Sequence, residues 1–171
     1  TITGGNANDI ITGGGGDDII AGGAGDDSLT GNANDDTFKV DGGTDTITDL
    51  ATGDIVVVSN SAKAQATGIT SFVATSDTKI ISGTAEFTAA SGGGTINLSS
   101  AHGASNDYTL IGGDGVDTLT GDAGNDTFKI NASTKGNNDT FVGGNGTDTI
   151  ILSAGTHALT NNTKVATIEK I

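Results

Sequence analysis

One spacing dominates residues 1–57: an aspartate recurs every nine residues, and an apolar residue follows each aspartate two positions later. A flexible glycine linker would keep neither spacing. A fixed short period instead predicts a coil of stacked, repeated units, with the recurring apolar residues as its core. The aspartates are Asp9, Asp18, Asp27, Asp36, Asp45 and Asp54, and the apolar residues are Ile2, Ile11, Ile20, Leu29, Phe38, Ile47 and Val56.

The pattern is complete in two adjacent units, residues 13–21 and 22–30, which both read G-G-x-G-x-D-x-U-x, where U is apolar. Residues 4–12 differ by an alanine at the fourth place. Residues 31–39 carry Asn32 and Asn34 at the second and fourth places. Asparagine enters left-handed backbone conformations better than other non-glycine residues, so we expect this turn to survive the two substitutions.

A second block of the same units follows later in the chain. Residues 112–120 and 143–151 match fully, and residues 121–129 depart only at Asp122. Residues 130–133 break the phase, and we expect this insertion to bulge from one turn. The aspartate and apolar places resume at Asp139 and Phe141, and beyond Ile150 the apolar place continues at Leu159 and Ile168.

These units resemble the RTX, or haemolysin-type, calcium-binding repeat, and the resemblance covers residues 1–57 and 112–151. It implies an all-β parallel β-roll, or β-solenoid, that binds calcium. In that fold each nine-residue unit, with six turn-forming and three strand-forming residues, makes half a turn of a flattened coil. It also implies a secreted bacterial protein.

Because two half-turns complete one rung, repeats two apart share an edge and stack about 4.8 Å apart. Each stacked pair of aspartates can hold one ion, and about four backbone carbonyls complete the oxygen set that calcium prefers. We therefore expect roughly four to six calcium ions. The predicted pairs are Asp9 with Asp27, Asp27 with Asp45, Asp18 with Asp36, Asp36 with Asp54, Asp117 with Asp139, and Asp126 with Asp148.

The candidate metal-site residues are these aspartates together with the turn residues of the complete or nearly complete units. The fifth-place residues Asp17, Asp26 and Asp35 are expected to point to solvent. In the first block the turn residues are Gly13, Gly14, Gly15, Gly16, Gly22, Gly23, Ala24, Gly25, Gly31, Asn32, Ala33 and Asn34. In the second they are Gly112, Gly113, Asp114, Gly115, Gly121, Asp122, Ala123, Gly124, Gly143, Gly144, Asn145 and Gly146.

Composition excludes several other classes of partner. The 171 residues hold 21 acids and 7 bases, a net charge of −14 that repels nucleic acid and attracts cations. There is no cysteine, and His102 and His157 have no partner at zinc-ligand spacing. The sequence contains no run of 18 apolar residues, the pattern that would predict a membrane-spanning helix.

Residues 59–110 lack the repeat and are rich in Ser, Thr, Ala and Gly. Short apolar groups separated by small residues indicate brief strands, which form either irregular rungs between two solenoid pieces or a small β-sandwich. We therefore divide the chain into a first calcium-binding β-roll block at 1–58, a β segment at 59–110, and a second block with continuing rungs at 111–171.

The resulting hypothesis is a calcium-binding structural module of a secreted or cell-surface bacterial protein, without catalytic activity of its own. Its expected partners are calcium, further copies of itself or cell-surface polysaccharide, in a surface layer, matrix or filament. The alternative is the non-catalytic repeat region of a secreted enzyme or toxin, which aids export and extracellular folding. Stacked carboxylates repel by about 1 kcal/mol per pair in water, so we expect the blocks to fold only on binding calcium.

Overall fold

The structure is a computed structural model that describes residues 1–102, 106–130, 138–152 and 164–168. The described residues form short strands and turns, and none of them lies in a helix. The strands belong to three parallel sheets, named A, B and C. Within each sheet, strands of successive rungs pair side by side, and together the rungs form one β-solenoid. The predicted fold class, a parallel β-roll, is confirmed.

Sheet B is continuous along the whole solenoid and has eight strands. Every pair of neighbouring strands described in sheet B is parallel, so the chain must cross over between one strand and the next. In chain order its strands are β2 (Ile10–Gly15), β4 (Ser28–Ala33), β6 (Thr44–Ile47), β8 (Ala62–Ile69), β11 (Gly83–Ala89), β13 (Tyr108–Gly112), β15 (Thr127–Ile130) and β17 (Thr149–Leu152).

Sheets A and C cover successive parts of the opposite side. Sheet A runs through the first block and ends with β10 in the middle segment, and sheet C begins at Ser71. Sheet A holds β1 (Ile2–Thr3), β3 (Ile19–Ala21), β5 (Thr37–Val40), β7 (Ile55–Val58) and β10 (Lys79–Ile80). Sheet C holds β9 (Ser71–Val73), β12 (Thr95–Asn97), β14 (Thr118–Thr120), β16 (Thr140–Val142) and β18 (Lys164–Ala166).

In the first block the strands stack at a constant offset of 18 residues. Leu29 pairs with Ile11 below it and with Ile47 above it in sheet B. Phe38 pairs with Ile20 and Val56 in the same way in sheet A. These stacked side chains are buried, so the apolar positions of the nine-residue spacing form the core as predicted.

The middle segment continues the solenoid with longer coils. Strand β8 lies in sheet B, β9 in sheet C and β10 in sheet A, so this coil has three sides. The offset in sheet B grows, with Ala64 below Ala85 and Ala85 below Tyr108. Of the two predicted arrangements, irregular rungs are therefore observed, because the strands pair in parallel with the repeat blocks.

Aromatic side chains fill the interior of the middle coils. Phe72 meets Phe87 edge to face, with ring centroids 5.7 Å apart, and Phe87 stacks on Tyr108 at 6.1 Å. In the second block Phe128 and Phe141 make a further edge-to-face contact at 6.0 Å. Such pairs contribute beyond the area they bury, which helps a chain with few large side chains to hold a core.

Parts of the second-block predictions lie outside the described residues. The insertion is described only at Ile130, which is buried in β15, and Leu159 and His157 are not described. Ile168 is described, and it packs against the core as the extended spacing predicted.

Candidate metal centre

The aspartates at the sixth place of each unit stack along the two edges of the solenoid. On one edge the N–H of Asp9 donates to Oδ1 of Asp27 at 2.8 Å, and the N–H of Asp27 donates to Oδ1 of Asp45 at 3.1 Å. The predicted partners on this edge are therefore stacked. The other edge repeats the arrangement, with Asp18 donating to Asp36 at 2.9 Å and Asp36 to Asp54 at 2.9 Å.

The second block has the same two ladders despite its longer rungs. The N–H of Asp117 donates to Oδ1 of Asp139 at 2.9 Å, and that of Asp126 donates to Oδ1 of Asp148 at 2.8 Å. Both pairs are 22 residues apart, so the insertion changes the offset without disturbing the stacking. All six predicted pairs of aspartates are thus neighbours in the structure.

The other carboxylate oxygen of several aspartates is buried without a hydrogen-bond donor. A buried acceptor that lacks a partner costs free energy, and a charged one costs more. Such an oxygen is a position where a cation would supply the missing interaction. Among the described residues these atoms include Oδ2 of Asp27, Asp36, Asp45, Asp117 and Asp122.

Gly22 lies where two of these oxygens converge. A Cβ placed on Gly22 would collide with Oδ2 of Asp27 and lie 2.8 Å from Oδ2 of Asp45. A side chain at this first place would therefore fill the space between the two carboxylates. Gly31 and Gly121 are each crowded by a single carboxylate, that of Asp36 and that of Asp126 respectively.

The second and fourth places of the units have a different requirement. Gly14 and Gly16 adopt φ of 112° and 99°, and Asn32 and Asn34 adopt 76° and 84°. These angles lie in the left-handed region that glycine and asparagine tolerate, so the expectation for the two asparagines is confirmed. First-place glycines such as Gly22 lie outside that region, and the crowding by carboxylates is what requires glycine there.

Burial raises the pKa of several stacked carboxyl groups. The pKa of Asp45 rises to about 7, mainly because burial removes the carboxyl group from water. The hydrogen bond from the N–H of Asp27 lowers this pKa, and the charge of Asp27 raises it. Desolvation likewise raises the pKa of Asp126 to about 7 and that of Asp117 to about 6. The pKa is also raised, again mainly by desolvation, for Asp36, Asp54, Asp122 and Asp139.

A family comparison identifies this arrangement. The model of the RTX calcium-binding nonapeptide repeat matches in four copies, at residues 1–29, 12–47, 103–128 and 133–156, which together span more than half of the chain. The chain belongs to the RTX calcium-binding nonapeptide repeat family. No curated protein and no solved structure matches the chain. RTX repeats bind calcium, and they are typical of secreted proteins.

The residues at the RTX turns fit calcium rather than a softer metal. Within the described ranges, no three histidine, cysteine or acidic side chains come together as a metal cluster. An ion at these turns would therefore draw on two stacked carboxylates and on backbone carbonyls, which are hard oxygen ligands. His102 is exposed, and the described part of the chain offers no second nitrogen ligand beside it.

Lysine does not neutralise the buried carboxylates of the first RTX block. Lys63 and Lys129 both pair with Glu86 on the outer face of sheet B, at 3.8 Å and 3.2 Å. In residues 1–102 no lysine side chain lies within ion-pair distance of Asp27, Asp36 or Asp45. Their negative charge is left for a mobile cation.

The fifth-place residues are exposed, as predicted, but they also join the rungs. Oδ1 of Asn8 accepts the N–H of Asp26 at 2.9 Å, and Oδ1 of Asp26 accepts the N–H of Thr44 at 2.7 Å. Asp17 accepts the N–H of Asp35 at 3.3 Å. These bonds run toward the preceding rung, opposite in direction to those of the sixth-place aspartates, so each edge carries two ladders.

Two further carboxylates near the RTX turns were missed in the sequence. Oδ1 of Asp41 accepts the N–H of Gly23 at 3.1 Å, and Asp49 accepts the N–H groups of Gly31 and Asn32 at 3.0 and 2.7 Å. Both aspartates belong to degenerate units and occupy places where the motif has glycine. Each lies 18 residues after the glycine that it contacts, and this spacing could have identified it in the sequence.

The remaining predicted turn residues divide by exposure. The exposed ones, at or near the outer rim, are Gly15, Ala24, Ala33, Asp114, Gly115, Asn145 and Gly146. Those buried beside the carboxylates are Gly112, Gly121, Asp122, Gly124 and Gly143.

No helix in the described residues is long and apolar enough to cross a membrane.

Proposed function

We propose that the chain is a calcium-folded structural module of a secreted or cell-surface bacterial protein. The observation that carries this proposal is the row of buried Oδ2 atoms without donors on Asp27, Asp36 and Asp45. Removing stacked carboxylates from water without a counter-ion disfavours the compact state, whereas a divalent cation between them favours it. Calcium binding and folding are therefore one equilibrium.

The proposed ligands are the sixth-place aspartates of the six stacked pairs, with backbone carbonyls of the turn residues at places one to four. One ion between each pair gives four ions in residues 1–58 and two in residues 111–171. About six calcium ions would nearly cancel the net charge of −14 and remove the self-repulsion of the folded chain. The segment 59–110 contributes rungs and core, and it contributes no calcium pair.

The test is far-ultraviolet circular dichroism in a chelator and in millimolar calcium, with magnesium at the same concentration as control. We expect a largely unordered spectrum in the chelator, a β spectrum in calcium, and a weaker response to magnesium, which prefers shorter bonds and retained water. Identical spectra in chelator and calcium would refute coupled folding. Isothermal titration calorimetry then counts the ions.

We further propose that the module supports a surface layer, matrix or filament through contacts between copies. Exposed apolar side chains are available for such contacts, since Ile10 is 87% exposed, Ile81 65% and Val116 56%. Electron microscopy with and without calcium tests it. Ordered sheets or fibres in calcium are expected, and a monodisperse monomer at high concentration would favour the soluble repeat region of a secreted enzyme or toxin.

A further inference from the structure

Asp122 departs from the RTX motif, which has glycine at this second place. Its side chain is 6% exposed, and Oδ1 accepts the N–H of Gly124 at 2.8 Å. Oδ2 is buried and has no hydrogen-bond donor. Neither Asp122 nor Gly124 has the positive φ that Gly14 and Gly16 adopt at the same places, so this turn differs in its backbone, and the hydrogen bond from Gly124 occupies only Oδ1 of the carboxylate.

The rung below Asp126 lacks the carboxylate that the ladder would place there. Tyr108 stands 18 residues before Asp126, and its N–H donates to Oδ1 of Asp126 at 2.9 Å, the bond that an aspartate N–H makes elsewhere. The tyrosine ring is instead buried against Phe87. The stacked pair at this point is therefore reduced to Asp126 alone.

Asp122 brings a second carboxylate to this incomplete position. Its own N–H donates to Oδ2 of Asp126 at 2.8 Å, which fixes the two residues side by side. Oδ1 of the same Asp126 accepts the N–H of Tyr108, so Asp126 joins Asp122 to the rung below.

We propose that Asp122 and Asp126 hold a further calcium ion on the side of the turn that faces Tyr108, with Asp122 in place of the carboxylate missing at position 108. This inference rests on the proposed calcium-binding function and adds a site to the six stacked pairs. Two carboxylates and backbone carbonyls again supply a hard oxygen set, as calcium requires. The motif spacing does not predict the site, because both acids belong to one unit.

Tyr108 provides a local reporter for the experiment, since the chain has one tyrosine and no tryptophan. Terbium(III) replaces calcium at oxygen sites and emits when a nearby tyrosine is excited. The variants are D122N, which keeps the shape and removes the charge, and D122G, which restores the motif glycine. D77N, at an exposed turn of the middle segment that has no proposed calcium ligand, is the matched control.

We expect D122N and D122G to bind one calcium ion fewer than the wild type by calorimetry and to lose part of the tyrosine-sensitised terbium emission, while an ion between Asp126 and Asp148 keeps the rest. D77N keeps both the count and the emission. Circular dichroism in saturating calcium establishes folding, and if D122N does not fold, D122G decides by the same criteria. An unchanged calcium count and emission in the folded variant would refute this site alone, whereas a wild type that binds no calcium would refute the proposed function.

Discussion

The N–H of Asp27 donates to Oδ1 of Asp45 on the next rung, 3.1 Å away, while Oδ2 of both aspartates turns toward Gly22. Each aspartate thus has two roles assigned to different oxygens. Oδ1 joins the rungs through a backbone hydrogen bond, and Oδ2 is the oxygen available to a cation. Rung stacking and calcium binding are therefore linked at the same side chain.

Asp36 is the middle aspartate of its edge, so D36N should impair two calcium sites. The pairs with Asp18 and with Asp54 both depend on it. Calorimetry should show about two ions fewer per chain, because calcium affinity follows the number of charged ligands. D17N removes an equal charge at an exposed neighbouring position and should keep the count. Loss of the same two ions in D17N would attribute the effect to net charge alone.

G22A should weaken calcium binding without straining the backbone. Gly22 has an ordinary φ, but a Cβ would meet the carboxylate oxygens of Asp27 and Asp45. We expect calcium affinity at this pair to fall about tenfold or more, which corresponds to about 1.4 kcal/mol. G15A is the control, because nothing lies within 4 Å of a Cβ there and its φ is also ordinary. Equal affinities for the two variants would contradict the crowding.

Calcium binding should weaken as the pH falls through 7. Asp45 and Asp126 have a pKa of about 7 in the fold, and that of Asp117 is about 6, against 3.8 in the unfolded chain. Protons therefore compete with calcium in this range, and binding should release protons. Calorimetry in two buffers of different ionisation enthalpy measures that release. Calcium affinity that is constant between pH 5 and 8 would contradict the raised pKa values.

The calcium-free chain should show the opposite dependence. Because these pKa values are raised on folding, the folded state binds more protons than the unfolded chain between about pH 4 and pH 7. Stability without calcium is then greatest at the acid end and is lost as the pH rises through the folded pKa values. Circular dichroism in chelator should show more β structure at pH 5 than at pH 8.

F38A should destabilise the calcium-loaded module by about 3–5 kcal/mol, since the ring is fully buried between Ile20 and Val56. K39A, at the next and exposed position of the same strand, should stay within about 0.5 kcal/mol. Urea unfolding at saturating calcium compares them. A similar loss in both variants would mean that Phe38 does not belong to the cooperative core.

Much of the repeat blocks could be predicted because their contacts have a constant offset. A residue 18 positions away is a neighbour throughout the first block, so the spacing of Asp9, Asp27 and Asp45 already defined one edge. The asparagine substitutions at Asn32 and Asn34 were predictable for a local reason, since the allowed φ belongs to the residue itself. The calcium ligands themselves stay a prediction until an ion is measured.

The middle segment could not be predicted in the same way. Its strands in sheet B stack at offsets that change from coil to coil, so no spacing recurs in the sequence. Phe72, Phe87 and Tyr108 meet only because the coil gains a third side. Short apolar groups indicated strands, but parallel pairing depends on where the chain returns.

The nine-residue half-turn, the two edges and the core positions could be predicted from the sequence alone, because each follows from a fixed period and from local backbone chemistry. Three features became visible only in the folded chain: sheet B joins both blocks, first-place glycines make room for carboxylates, and Asp122 stands beside Asp126 over Tyr108. These features depend on approaches between residues on different rungs. In some cases the contacting residues are not separated by a regular number of residues, and in others glycine is required for space and not for its φ. Neither cause can be read from one unit of the repeat.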